Sequence, residues 1–209
     1  MNLVTYRIER EDADRLLFLF HGYSAEQHHL AAYVPLIDPQ ERFTAICPRA
    51  PHDLADSDGA SWFDIGDEGF DKASFHQSAG ALRGLVDAEA DAAGIPVERC
   101  VIGGFSQGGY LALALAGQPG RAHYAGVWAM CCGLPPFPDT PFDLTPGGGR
   151  PALVQYGTRD PFIANADSSA AATALSDAGW EVRLEGYDMA HSQTLEMMAD
   201  AKEWLATID

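Results

Sequence analysis

Basic residues are scarce in this chain of 209 residues. Thirteen lysines and arginines stand against 30 aspartates and glutamates, and the formal net charge is −17 at pH 7. Only Lys72 and Lys202 are lysines. A surface this acidic repels nucleic acid and anionic bilayers. We therefore expect no nucleic-acid partner and no stable membrane association.

Long apolar runs and a secretory leader are missing as well. The run LLFLF at residues 16–20 is far shorter than the roughly 20 apolar residues that a transmembrane helix needs. The opening decapeptide, MNLVTYRIER, lacks the basic and then apolar stretches of a signal peptide. The sequence therefore predicts a soluble, cytoplasmic protein.

The cysteines lack the spacing that indicates zinc or a redox pair. They are Cys47, Cys100, Cys131 and Cys132, with no C-x-x-C and no histidine at ligand spacing. In a cytoplasmic protein such thiols are typically reduced and buried. We expect neither a metal ion nor a cofactor.

Strand-like and helix-like segments alternate along the whole chain. With 47% hydrophobic residues, 209 residues suit a single α/β domain spanning 1–209. Purely apolar strand centres predict a mostly parallel central sheet that helices flank on both faces. The predicted strands are 3–8, 16–20, 43–47, 100–105, 124–131, 152–156 and 182–187. The predicted helices are 26–37, 74–93 with a capping box at Ser74 and Gln77, 107–116, 163–178 and 192–207.

Residues 48–69 and residues 132–150 are rich in proline and glycine. Neither stretch shows the spacing of apolar residues that is typical of a helix or of a strand. Each follows a predicted strand. In open α/β sheets the ligand crevice lies outside the carboxyl ends of the strands. We therefore expect both stretches to form walls of a site.

The segment GGFSQGG at residues 103–109 carries the clearest chemical signal. It contains G-x-S-x-G, the pattern of a nucleophile elbow, in which a sharp strand-to-helix turn exposes a serine hydroxyl. Gly104 and Gly108 lie two residues before and after Ser106, where side chains would collide in so tight a turn. A predicted strand before the turn and a predicted helix after it make the match specific. Ser106 is the predicted nucleophile.

An elbow serine needs a general base, which in this architecture is a histidine later in the chain. His123 and His191 follow Ser106. His123 opens a predicted strand and so lies at the wrong edge of the sheet. His191 lies between the last strand and the last helix, at the carboxyl edge, and is the predicted base.

The base in turn needs an orienting acid, and three aspartates compete for this role. Asp160 directly follows the strand 152–156, whereas Asp167 is expected on the next helix. Asp188 stands only three residues before His191 and would need an unusual turn to reach it. Asp160 is the preferred acid.

Two backbone N–H groups are expected to form an oxyanion hole. Gln107 directly follows the serine, and Tyr23 lies in the loop HGYS after the strand 16–20. His21 precedes the elbow, so we expect it to brace this loop rather than to act as a base.

These segments together resemble the carboxylesterase/phospholipase family of α/β-hydrolases, which includes the acyl-protein thioesterases. The matching segments occur in family order and are LLFLFHG, SWFDI, GFSQGG, CGLP, YGTRDP and MAHS. The chain has Ser24 and Ala25 where the family usually has a second glycine, often followed by aspartate.

The resemblance implies an α/β-hydrolase fold and a triad of Ser106, Asp160 and His191. It implies that the backbones of Tyr23 and Gln107 bind the oxyanion. It further implies an acyl pocket lined by Trp62, Phe63 and Leu134.

The expected activity is hydrolysis of small carboxylic esters with short to medium acyl chains. An acyl-protein thioesterase or lysophospholipase acting on longer chains is the alternative. The same triad also serves acyl transfer, lyase and perhydrolase reactions. A binding protein on a former hydrolase scaffold is disfavoured, because serine, acid and histidine are all present.

Overall fold

A seven-stranded sheet forms the centre of the computed structural model, which describes residues 2–55, 57–67, 69–120 and 123–208. All seven predicted strands are present, with ends that differ by at most two residues from those expected. They are β1 (Thr5–Ile8), β2 (Arg15–Phe20), β3 (Phe43–Pro48), β4 (Cys100–Phe105), β5 (Gly126–Met130), β6 (Pro151–Gly157) and β7 (Glu181–Tyr187).

The order of the strands across the sheet is β1-β3-β2-β4-β5-β6-β7. Strand β1 pairs with β3 in the antiparallel sense, and every other neighbouring pair is parallel. The predicted mostly parallel sheet is therefore confirmed. The carboxyl ends of the six parallel strands meet at one edge, where a ligand crevice is expected.

Helices cover both faces of the sheet, as predicted. They are α1 (His28–Ala31), α2 (Val34–Ile37), α3 (Lys72–Ala93), α4 (Gln107–Ala116), α5 (Asn165–Asp177) and α6 (Leu195–Leu205). Along β2 the side chains alternate between two cores, because successive residues of a strand point to opposite faces. Leu16 and Phe18 join the core that contains residues of α3, α4 and α5, whereas Leu17 and Leu19 join the core beneath α1, α2 and α6.

The prediction of one continuous helix over residues 26–37 is wrong. The structure has two short helices there, α1 and α2. Pro35 explains the break. Proline has no N–H with which to continue the i to i−4 hydrogen bonds, but it is tolerated in the first turn of a new helix. Pro35 occupies that first turn in α2.

The start of α3 also differs from the prediction. Ser74 and Gln77 do not form a capping box, because Asp71 caps the helix instead and the helix begins at Lys72. The Asp71 side chain accepts a hydrogen bond from the backbone N–H of Ser74 at 2.8 Å. A carboxylate at the N-cap satisfies a donor that the helix leaves free. Helix α6 begins at Leu195, three residues later than predicted, after the N-cap Thr194.

The stretch 48–69 contains two small hairpins that were not predicted. One pairs His52–Asp53 with Ala60–Ser61, and the other pairs Ile65–Gly66 with Gly69–Phe70. In the stretch 132–150 a short 3₁₀ turn forms at Thr145–Gly147. Within the described ranges, each helix is too short or too polar to cross a bilayer.

Candidate active site

Ser106 stands between β4 and α4 in a backbone conformation that side chains rarely adopt, with φ 53° and ψ −118°. Such a conformation costs roughly 1–3 kcal/mol and persists only where the surroundings enforce it. Two hydrogen bonds hold it here. The N–H of Ser106 donates to the carbonyl of Met130 at 2.9 Å, and the carbonyl of Ser106 accepts from Tyr110 at 3.1 Å.

Gly104 and Gly108 are required by close backbone contacts around this turn. A Cβ on Gly104 would lie 2.3 Å from the carbonyl carbon of Gly108. A Cβ on Gly108 would lie 2.0 Å from the carbonyl oxygen of Phe20, the last residue of β2. Real Cβ atoms do not approach backbone atoms this closely, so only glycine fits either position. The structure confirms the reason inferred for both glycines.

Asp160 and His191 lie on loops that follow β6 and β7, and backbone hydrogen bonds join these loops. Thr158 donates to the carbonyl of Tyr187 at 2.8 Å, and Arg159 donates to the carbonyl of Met189 at 3.1 Å. The pairing of β6 with β7 therefore continues beyond the sheet. This pairing places the side chains of Asp160 and His191 next to each other.

Both oxygens of the Asp160 carboxylate accept hydrogen bonds. Its Oδ2 lies 2.6 Å from Nδ1 of His191, and its Oδ1 accepts from the backbone N–H groups of Phe162 at 2.9 Å and Ile163 at 3.0 Å. The side chain of Asp160 is 1% exposed and that of His191 is 15% exposed. Burial raises the pKa of Asp160, but the hydrogen bonds from His191 and from the two N–H groups outweigh it. The net pKa is lowered, and the group stays ionised.

The other candidate acids and the other histidine lie elsewhere. Asp188 forms an ion pair with Arg159, with 2.6 Å between Oδ1 and Nε, and its side chain is 82% exposed. Asp167 lies in the first turn of α5 and is exposed. His123 precedes β5 and so lies toward the amino ends of the parallel strands.

A cavity of about 480 Å³ brings Ser106 and His191 together at the carboxyl edge of the sheet. This volume is in the range of small-molecule sites. Tyr23 and Gln107, the two residues predicted for the oxyanion hole, also line it. The full lining is Tyr23, Ser24, Ile65, Phe70, Phe105, Ser106, Gln107, Tyr110, Phe162, Ile163 and His191. We call this space the serine cavity.

Trp62 and Phe63 do not line the serine cavity, contrary to the prediction, because both are fully buried. They brace the elbow instead. The Gln107 side chain accepts from the N–H of Trp62 at 2.9 Å and donates to the carbonyl of Phe63 at 2.8 Å. The indole N–H of Trp62 donates to the carbonyl of His21 at 2.8 Å. These bonds connect the elbow to the loop that carries Tyr23.

His21 braces the same loop, as expected from its position in the chain. Its Nδ1 lies 2.7 Å from the carbonyl of Gly22, and its Nε2 accepts from the N–H of Ala50 at 3.0 Å. Burial lowers the pKa of His21 to about 4, so the ring is neutral at pH 7. A neutral ring satisfies both bonds, with the proton on Nδ1.

Ser24 occupies a position where the family that this sequence resembles usually has glycine. It adopts a left-handed conformation with φ 61°. Its N–H donates to the carbonyl of Ala60 at 3.0 Å, and Ala60 donates to the carbonyl of Ala25 at 2.9 Å. The loop thus keeps a conformation suited to glycine without having one. The hairpin strand Ala60–Ser61 enforces it.

Leu134 lines a second cavity of about 440 Å³, beside the serine cavity. The two spaces share Phe70 and Tyr110, whose rings meet edge to face with centroids 5.0 Å apart. Because this pair lines both spaces, we call it the aromatic wall. Sequence reasoning missed Phe70 and Tyr110, and also Ile65 and Phe162, although both of the latter lie within or beside the motifs SWFDI and YGTRDP.

Cys131, Asp160 and His191 form the one group of possible metal-ligating side chains found close together among the described residues. Their sulfur, oxygen and nitrogen atoms lie within 4.8 Å of one another. The carboxylate and the imidazole already satisfy each other, however, and burial raises the pKa of the Cys131 thiol to about 12. A protonated thiol beside a hydrogen-bonded pair is a poor set of metal ligands.

The sheet, the serine elbow and the Asp160–His191 pair at the carboxyl edge define an α/β-hydrolase fold. Solved structures agree. The chain superposes on a crystal structure of esterase PE8 with a TM-score of 0.87 at 21% identity, covering 100% of both chains. It superposes on the carboxylesterase of Bacillus cereus with a TM-score of 0.85 at 19% identity, covering 99% of this chain and 95% of that one.

The chain belongs to the phospholipase/carboxylesterase family, whose model matches residues 6–209. Relatives in this family include acyl-protein thioesterase 1 of Schizosaccharomyces pombe, which is 40% identical over 100 residues, or 47% of this chain and 44% of that protein. Acyl-protein thioesterase 1 of Debaryomyces hansenii is 29% identical over 189 residues, covering 84% of this chain and 81% of that one. The match thus spans less than half of the first relative and most of the second.

The close contacts at the elbow predict the effect of replacing its second glycine. Gly108→Ala places a methyl group against the Phe20 carbonyl, so we expect the free energy of unfolding to fall by roughly 3 kcal/mol. Gly84→Ala is the matched control, because Gly84 lies within α3 with open space around it. It should stabilise the protein by about 0.5–1 kcal/mol.

Urea denaturation of both variants checks this prediction. Equal stability of Gly108→Ala and the wild type would contradict the close approach of α4 to β2.

Proposed function

We propose that this protein is a serine hydrolase that cleaves carboxylic esters with short to medium acyl chains. The observation that carries the proposal is the bond of 2.6 Å between Nδ1 of His191 and Oδ2 of Asp160, on the cavity that Ser106 also lines. A buried carboxylate that fixes an imidazole on the same cavity as a half-buried serine is the arrangement of a catalytic triad.

Asp160 sets the tautomer of the base in this mechanism. Because the carboxylate is ionised and accepts from Nδ1, the neutral ring carries its proton on Nδ1 and leaves Nε2 as the basic nitrogen. Nε2 takes the proton of Ser106 as Oγ attacks the acyl carbon of the ester. The charged imidazolium that forms is stabilised by the carboxylate next to it.

The oxyanion of the tetrahedral intermediate needs donors that are in place before the reaction. We assign this role to the N–H groups of Tyr23 and Gln107. The Gln107 side chain and His21 hold the two donor-bearing segments in fixed positions, as described above. The N-terminus of α4 adds positive potential at the same point.

Collapse of the intermediate expels the alcohol or thiol, which receives the proton from Nε2 of His191. An acyl ester on Ser106 Oγ remains. Water then attacks this ester while Nε2 takes one of its protons. A second collapse releases the carboxylic acid and returns the proton to Ser106.

The aromatic wall of Phe70 and Tyr110 supports the preference for shorter acyl chains. It closes the serine cavity toward the second cavity, so a chain in the serine cavity meets two packed rings. The lining is mostly apolar, and each methylene buried there gains about 0.8 kcal/mol. Affinity should therefore rise over the first carbons and stop at the wall.

Thioester cleavage on long-chain substrates is a second candidate function. Two observations favour it: relatives named acyl-protein thioesterase 1, and a second cavity beyond the aromatic wall. A long chain would have to move Phe70, which belongs to the short hairpin strand Gly69–Phe70.

Removal of the proposed nucleophile tests the function directly. Ser106→Ala should lower kcat on soluble esters by on the order of 10⁶ while leaving the fold intact. Hydrolysis of short-chain aryl esters, with circular dichroism as the check on folding, measures both effects. Near-normal turnover by folded Ser106→Ala would refute the proposal.

The assignment of Asp160 as the acid predicts that substitutions of Asp160 and of Asp188 change kcat to different extents. Asp160→Asn should lower kcat by roughly 10⁴, because an amide no longer selects the tautomer with the proton on Nδ1. Asp188→Asn is the control: this exposed side chain pairs with Arg159, and its loss should leave kcat nearly unchanged. The opposite ranking of the two variants would assign the acid to Asp188.

The aromatic wall predicts how substrate choice changes. In the wild type, kcat/KM on monomeric esters with two to sixteen acyl carbons should rise and then fall at medium length. Phe70→Ala joins the two cavities, so the optimum should move to longer chains while activity on the shortest esters is retained. An optimum at sixteen carbons in the wild type would instead favour the thioesterase candidate.

A further inference from the structure

Cys131 lies behind the Asp160–His191 pair, at a junction of three chain segments. It is the first residue after β5, and its backbone N–H donates to the carbonyl of Gln155 in β6 at 2.7 Å. It has φ 48°, a left-handed conformation that is rare for a residue with a side chain. Such outliers concentrate at active sites and persist only where the surrounding structure enforces them.

The thiol of Cys131 contacts both loops that carry the pair. Its sulfur, a carboxylate oxygen of Asp160 and a ring nitrogen of His191 lie within 4.8 Å of one another. The sulfur is also 3.9 Å from the backbone carbonyl of Ser192. The side chain is fully buried, so no water competes for these contacts.

The protonation state makes this thiol a donor. Burial, and then the negative charge of Asp160, raise the pKa of Cys131 to about 12, so the proton stays on sulfur at neutral pH. Two acceptors lie within reach of the S–H: the backbone carbonyl of Ser192, 3.9 Å from the sulfur, and the carboxylate of Asp160. An ionised carboxylate is a stronger acceptor than a peptide carbonyl.

We infer that Cys131 is a positioning residue: its S–H donates to the Asp160 carboxylate and holds the acid in the orientation that His191 requires. The two N–H groups on Oδ1 come from Phe162 and Ile163, which belong to the acid's own loop. The thiol comes from the end of β5 instead. It therefore fixes the carboxylate to the sheet. This inference rests on the proposed function for its effect on turnover.

Few other titratable groups of the described chain bear on the pair. Tyr110 of α4 has its pKa raised by burial and by Cys132, Asp167 and Asp160, so it is neutral. The exposed ion pair of Arg159 and Asp188 lies on the two loops themselves. Cys131 is the group that adds a donor to the carboxylate without adding charge.

Cys131→Ala removes the donor, and Cys131→Ser keeps one. The bare carboxylate of Cys131→Ala then attracts the imidazolium more strongly. The acidic midpoint of the kcat/KM profile should move up by roughly half a pH unit. A less firmly held acid should lower kcat by roughly threefold to thirtyfold with KM little changed. Cys131→Ser should stay close to the wild type in both measurements.

Cys47→Ala is the matched control, because Cys47 is an equally buried thiol in β3 whose pKa is raised by burial alone. Like Cys131→Ala, Cys47→Ala should be less stable than the wild type. Its pH profile of kcat/KM should be unchanged. The downfield proton resonance of His191 Nδ1 gives a readout that does not depend on turnover. That resonance should shift in Cys131→Ala and not in Cys131→Ser or Cys47→Ala.

Identical profiles and resonances in Cys131→Ala and Cys47→Ala would overturn the inference. Equal departures by Cys131→Ala and Cys131→Ser would overturn it too, since the thiol would then act through its volume. Both results leave the proposed function standing, because Ser106→Ala tests that function separately.

Discussion

The approach of the Phe20 carbonyl to Gly108, closer than any side chain permits, is the constraint on which the rest of the site depends. It brings the N-terminus of α4 against the end of β2. Ser106 is thereby forced into its rare conformation, and the loop after β2 is placed beside the serine. Gly104 and Gly108 thus allow the backbone contacts that fix the position of Ser106 next to the proposed oxyanion loop.

The second half of the site depends on the pairing of β6 with β7, which continues into the loops beyond them. That pairing brings a carboxylate and an imidazole together from residues 31 positions apart. The hydrogen bonds from His191 and from the N–H groups of Ile163 and Phe162 lower the pKa of Asp160 and keep it ionised despite its burial. The serine cavity beside this pair is mostly apolar, and Phe70 and Tyr110 are part of its lining. The proposed ester hydrolysis follows from the meeting of these two halves at one edge of the sheet.

The strands and the turn at Ser106 could be predicted, because local patterns determine them. Apolar runs mark buried strands, and Gly104, Ser106 and Gly108 mark a turn that few other sequences make. The apolar part of the cavity lining could not be predicted, because it depends on which way side chains point. Trp62 and Phe63 turn inward to brace Gln107, and no local pattern in the sequence indicates that Cys131 lies beside Asp160 and His191.

Site-specific labelling of the native protein with a fluorophosphonate tests the central claim most directly, since it needs no knowledge of the natural substrate. Peptide mapping by mass spectrometry should find one adduct, on Ser106, that is lost on denaturation and strongly slowed in His191→Ala. An adduct on another residue, or a native protein that the reagent does not modify, would contradict the account.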